Sequence, residues 1–166
     1  MMWSIASDLL LRLRMGWWNT VYRGYRQRYD IAPSFRFNGA GIQLYGPGRI
    51  ELGEDSYVGE QCSLQAAPGQ IVCVGRRCSI AHNVRVYTST AIADADFSIG
   101  PPPTTSGSVS IEDGAWIGAN AYIAPGVTIG RNVVVGANSV VTRSIPASEI
   151  WGGVPARLIR SKRRIT

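Results

Sequence analysis

The chain carries a single imidazole. His82 is the only histidine in 166 residues, and an imidazole is the side chain best suited to take a proton from a hydroxyl near neutral pH. Two carboxylates stand a little further on, in Ala93-Asp94-Ala95-Asp96-Phe97. A carboxylate beside an imidazole orients the ring and favours its charged form, so His82 is the candidate base and Asp94 and Asp96 are candidates to orient it. A second chemistry gathers near the C-terminal end, where Arg157, Arg160, Lys162, Arg163 and Arg164 crowd together. Guanidiniums meet phosphate through paired hydrogen bonds, so this cluster suits a phosphorylated ligand. Three cysteines without a CxxC pair argue against a zinc site and against a disulfide framework. A zinc centre of three histidines is excluded by the single histidine. No serine or cysteine motif points to a covalent intermediate.

What must position these groups is a repeat. Counting by sixes from Ile111, an aliphatic residue recurs without a miss: Ile111, Ile117, Ile123, Ile129, Val135, Val141. The residue four places after each is small or β-branched: Ala115, Ala121, Val127, Val133, Ser139. A period of six fits neither a helix nor a strand alone. It fits a short strand and a tight corner, three of which close a triangular coil of a parallel β-helix. The same register runs through Leu52, Val58, Leu64 and again through Val74, Ile80, Val86, with a turn at Ala66-Ala67-Pro68-Gly69-Gln70 between them. At about 18 residues per coil, the span 35–145 gives about five or six coils. In this frame Cys62 and Cys78 occupy small inward positions, as packing thiols of a reducing compartment. His82, two places after inward Ile80, falls on an exposed corner.

Three parts follow: a helical cap over 1–34, the coil over 35–145 with an excursion at 88–108, and a tail over 146–166. From Trp3 to Tyr29 the pattern is helical, with Trp3, Ala6, Leu10, Leu13, Trp17 and Val21 on one face and Asp8, Arg12, Arg23 and Arg26 opposite. The first expectation for it is a cap on the open first coil or a surface for a partner chain; the second is weak, salt-sensitive contact with a membrane surface. Asp8 interrupts the apolar stretch and no cleavage-like site follows, so a secretory signal is not expected. The run Leu9 to Leu11 is too short to span a bilayer. The excursion, with Pro101-Pro102-Pro103, cannot continue the coil, and a long excursion from a rigid scaffold is where function tends to sit. The net charge of +6 comes with no nucleic-acid motif, so nucleic acid is not an expected partner.

The segments Trp116-Ile117-Gly118-Ala119, Pro125-Gly126-Val127-Thr128-Ile129-Gly130 and Val135-Gly136-Ala137-Asn138-Ser139-Val140-Val141-Thr142-Arg143, closed by Gly153-Val154-Pro155-Ala156-Arg157, together resemble the hexapeptide-repeat acyltransferases. The branch is that of the maltose/galactoside and polysaccharide O-acetyltransferases. The resemblance covers about residues 50 to 160 and is most specific from Trp116 to Arg160. It implies an all-β, left-handed parallel β-helix, a homotrimer, and acetyl-CoA as acyl donor in a groove between two subunits, without a metal. By the same resemblance, Ala119 and Ala137 line that groove with Thr142 and Arg143 at its end. Arg157 and Arg160 lie near the nucleotide phosphates, and Asn83 and Trp116 lie on the acceptor side.

One position departs from the family. Its general base is a histidine eight residues after an Asn-Val pair; here the pair is Asn83-Val84, and Ala91-Ile92 stand where the histidine would be. His82, just before the pair, is left as the base. The expected function is an acetyl-CoA-dependent O-acetyltransferase acting on a sugar hydroxyl in surface polysaccharide or glycoconjugate synthesis. It is placed in the cytoplasm or at the inner face of the membrane. Two alternatives stay open: an N-acyltransferase on an amino-sugar nucleotide, and a non-catalytic trimeric β-helix that has lost the usual base.

Overall fold

The computed structural model describes residues 2–163. Short parallel strands stack into three faces of a triangular prism. The first face comprises Asp30–Ile31, Arg49–Leu52, Ile71–Val74, Val109–Ile111 and Thr128–Ile129. The second comprises Arg36–Asn38, Tyr57–Gly59, Ser79–Ile80, Trp116–Ile117, Val134–Val135 and Glu149–Gly152, with Arg157–Ser161 added antiparallel at its end. The third comprises Gln43–Tyr45, Ser63–Gln65, Arg85–Tyr87, Tyr122–Ile123 and Val140–Val141. The hexad aliphatics are the core: Ile111, Ile117, Ile123, Ile129 and Val141 are fully buried, and Val135 nearly so. The small fourth-place residues, Cys62 and Cys78 among them, fill the inside of the corners.

Eight corners share one construction. There the third residue after the inward aliphatic turns the chain by entering the left-handed region: Asp55, Gln61, Arg77, Asn83, Asn120, Asn132, Asn138 and Ser148 all have φ between 54° and 61°. Asparagine is among the few residues that enter this region readily, because its short amide bonds locally. At the corner from second to third face these amides bond to one another. Asn83 Nδ2 donates to Asn120 Oδ1 at 2.8 Å, and Asn120 Nδ2 donates to Asn138 Oδ1 at 3.0 Å.

Parallel pairing runs on past Ile145: Ile150 and Trp151 pair with Val134 and Val135. Trp151 is buried and closes that end of the core. At the other end, helix α1 (Met2–Arg28) lies on the first coil through Trp18, Val21, Tyr22, Tyr25 and the following Tyr29. Tyr22 stacks on Phe37 with ring centroids 4.4 Å apart, and its hydroxyl donates to the Gly39 carbonyl at 2.8 Å. The packed stripe is therefore not the one that the helical pattern picked out. Of that face only Val21 touches the core; Leu10, Leu13 and Trp17 are 66%, 61% and 68% exposed. Apolar packing on the coil reaches only as far up the helix as Trp18, and the aromatic stripe supplies most of it. The side chains of Trp3 and Ala6 lie outside the described residues.

The excursion is a hairpin, Ser89–Ala91 antiparallel to Thr104–Ser106, leaving the corner between the third and first faces. Thr88 anchors its base: the hydroxyl donates to the Gln65 carbonyl at 3.1 Å and accepts from the Ala67 N–H at 2.8 Å.

Candidate active site

His82, Asn83, Ala119, Ala137, Trp116, Arg157 and Arg160 come together along one corner and the face beside it, while Thr142 and Arg143 follow the third face. Ladder bonds stack His82, Ala119 and Ala137 on successive coils: Asn120 N–H donates to the His82 carbonyl at 3.0 Å, and Asn138 N–H to the Ala119 carbonyl at 2.8 Å. Neighbouring coils of a β-ladder lie about 4.8 Å apart, so the three corner residues form one vertical row. Asn83 is on the same corner, with its amide committed to the asparagine ladder. Trp116, 55% exposed, points outward from the second face just before this corner, in register with Ser79 and Val134.

The C-terminal hairpin delivers its arginines to this same face. Strand Arg157–Ser161 pairs with Glu149–Gly152 so that Arg160 opposes Ile150 and Arg157 opposes Gly152, with a register shift between. Residues directly opposed in an antiparallel pair share a side. Ile150 and Gly152, two apart, therefore place both arginines on one side, which is the side of Val134 and Trp116. Without the bulge, residues three apart on a strand would point oppositely. Both are exposed, and their recorded bonds are only to local carbonyls, Arg157 Nη1 to Ala156 at 2.9 Å and Arg160 Nη1 to Ser161 at 3.2 Å. Arg143 is held by stacking over the Trp151 ring at 5.0 Å, while Trp151 Nε1 donates to Glu149 Oε2 at 2.7 Å. Thr142 is exposed beside it. Arg164 lies outside the described residues.

His82 has a definite setting. The Glu60 N–H donates to His82 Nδ1 at 3.0 Å. A backbone N–H only donates, so Nδ1 carries the lone pair and the proton of the neutral ring sits on Nε2. Gly59 leaves the space for this: a Cβ there would lie 2.9 Å from His82 Nδ1 and 2.8 Å from the Ala81 carbonyl carbon. The Glu60 carboxylate accepts from the Ala40 N–H at 3.2 Å and meets Arg14 at 3.6 Å.

The aspartates are elsewhere. Asp94 and Asp96 ride on the excursion, which leaves a different corner from the one that carries His82, and neither has a recorded bond to His82 within the described residues. Asp96 Oδ1 accepts from the Ser98 hydroxyl at 2.6 Å and the Ser98 N–H at 2.8 Å. These bonds hold its carboxyl below the usual carboxylate range, which makes it a poorer proton acceptor. Four contributors were not read from the sequence: Glu60, whose N–H fixes the imidazole; Gly59; the bulge that aligns the arginines; and Trp151 under Arg143. The asparagines alone had a visible signal, since each stands three places after an inward aliphatic.

Comparison with known proteins shows the family to which the fold belongs. The family described as bacterial transferase hexapeptide (six repeats) matches residues 108–143. Over 133 residues the chain is 34% identical to an Escherichia coli K12 protein named as the lipopolysaccharide biosynthesis O-acetyl transferase WbbJ, covering 74% of this chain and 67% of that one. A maltose O-acetyltransferase from Clostridium difficile 630 superposes with a TM-score of 0.62 at 26% identity, over 96% of this chain and 91% of its own. A hexapeptide-repeat acetyltransferase of Vibrio cholerae, solved with acetyl-CoA, gives 0.62 at 25% identity, over 86% and 76%. The chain belongs to the hexapeptide-repeat acyltransferases, and its prism is their left-handed parallel β-helix. Within them it falls in the branch of the maltose/galactoside and polysaccharide O-acetyltransferases.

Proposed function

We propose that the protein is an acetyl-CoA-dependent O-acetyltransferase acting on a sugar hydroxyl in surface polysaccharide or glycoconjugate synthesis. The observation that carries this reading is the row of His82, Ala119 and Ala137 on one corner, bordered by a face where Trp116, Arg157 and Arg160 share a side. The small side chains at 119 and 137 leave corner backbone groups open to a pantetheine arm. Arg157 and Arg160 suit the phosphates of CoA, Arg143 and Thr142 the end of the groove, and Asn83 and Trp116 the acceptor side.

His82 takes the hydroxyl proton as the oxygen attacks the thioester carbon, and returns a proton to the departing thiolate. Backbone N–H groups of the groove stabilise the oxyanion. To act as base, the ring swings out of its bond with the Glu60 N–H. One such bond is worth about 0.5–1.5 kcal/mol net, a small cost for an exposed side chain. His82 and the excursion lie on different corners, so Asp94 meets His82 only across a subunit boundary. A homotrimer with its groove between two chains supplies that boundary. The acetyl donor and three unpaired thiols fit a cytoplasmic setting.

One observation favours a second reading. With Nδ1 held, the outward nitrogen is a donor, and a donor without a base suits an amine acceptor, which is already nucleophilic. That is N-acyl transfer to an amino sugar. Acetylated product from a panel of sugars and amino-sugar nucleotides, treated with hydroxylamine, separates the two. An O-acetyl ester is cleaved, and an acid-stable amide that survives would replace the first reading by the second. No acetyl transfer to any acceptor, with CoA still bound, would leave a binding protein.

A further inference from the structure

We infer that the open side of helix α1 from Leu9 to Arg23 is a docking surface for an anionic lipid membrane. The helix carries two apolar stripes. At about 100° per residue, Trp18, Val21, Tyr22, Tyr25 and Tyr29 form one, and Leu9, Leu10, Leu13 and Trp17 form another about 100° wide beside it. The first stripe is packed on the coil. The second is open: Leu9, Leu10, Leu13 and Trp17 are all more than half exposed. Four large apolar side chains on one arc of one helix are a patch rather than scattered exposure.

Charge decides the occupant. Helix α1 holds five arginines and one acidic residue, Asp8. Arg14 meets Glu60, and Arg26 and Arg28 donate to carbonyls of the first coil. Arg12 and Arg23 are exposed and have no ion pair among the described residues. They lie on the arc next to the open stripe, the placement by which an interfacial helix sets cations against lipid phosphates as its Leu and Trp side chains enter the acyl boundary. A second copy of a chain with net charge +6 offers no matching acidic surplus. No helix among the described residues is long and apolar enough to cross a membrane, so this one lies along the surface.

Flotation of the full chain with phosphatidylcholine vesicles, with and without phosphatidylglycerol, tests this. The protein is expected to float with the anionic vesicles and to be released in part at high salt. Changing Leu10, Leu13 and Trp17 together to Gln is expected to cut binding roughly tenfold or more without lowering the melting temperature. Arg12→Gln with Arg23→Gln is expected to cost about fivefold per charge. No flotation, or equal flotation of the apolar triple variant, would overturn the inference. So would sedimentation without vesicles in which the triple variant loses an oligomer that the unaltered chain forms, since the stripe would then be a chain-to-chain contact.

Discussion

The resting position of the His82 ring, bonded at Nδ1 by the Glu60 N–H, depends on its smallest neighbour. A methyl group at Gly59 would collide with the ring and with the backbone of the next coil. Because that collision includes the Ala81–His82 backbone, Gly59→Ala should displace the corner that carries the base and lower acetyl transfer, with little change in CoA affinity because the groove corners at Ala119 and Ala137 lie on other coils; parallel rate and binding titrations would show it. The cysteines give a separate check. Burial pushes the Cys62 thiol up to about 11 and raises Cys78 and Cys73 in the same direction. A raised thiol pKa leaves little thiolate at neutral pH, and thiolate is the reactive form. Alkylation at pH 7.5 should be slow at all three in the folded protein, fast once denatured, and slowest at Cys62. Rapid labelling of folded Cys62 would show that the second coil is open.

At the scale of the element, the corner sets both fold and groove. Asn120 has φ of 60° and bonds through its amide to the coils on either side. Asn120→Ala should cost about 1–2 kcal/mol for a left-handed alanine, plus the ladder bonds, whereas Asn120→Gly should cost less; chemical denaturation of both variants measures the difference. Ile117, fully buried in mid-prism, should cost about 2–5 kcal/mol when cut to Ala. The repeat was legible in the sequence because each inward aliphatic has one job and one spacing, and its failure at Tyr87 marked the excursion. The helix was legible as a helix, but its packing stripe was not. Both stripes are apolar, and only the position of the first coil decides between Trp18-Tyr22-Tyr25 and Leu10-Leu13-Trp17. The corner row was legible from the sixfold count. That Asp94 and Asp96 hang from another corner was not, since sequence proximity to His82 says nothing about which edge of a prism a hairpin leaves. The bulge that brings Arg157 and Arg160 to one side was also hidden, because it arises from pairing with Glu149–Gly152.

At the scale of the whole molecule, the proposed groove needs more than one chain, so sedimentation should give a trimer; a stable monomer at working concentration would remove the route by which the excursion meets His82. Arg157→Ala with Arg160→Ala should weaken CoA about tenfold or more, since hydrogen bonds to charged groups contribute roughly 1.5–3 kcal/mol each. If the lost contact is to the 3′-phosphate, dephospho-CoA should lose much less. The central claim is that this corner performs acetyl transfer through its single imidazole. The most direct measurement is thiol release from acetyl-CoA, dependent on a carbohydrate acceptor, by the unaltered chain and by His82→Ala, with CoA affinity measured in parallel. The account predicts a fall of about a hundredfold or more in the rate, the usual contribution of a general base, at nearly unchanged CoA affinity. Full activity in His82→Ala with the same acceptor would contradict it.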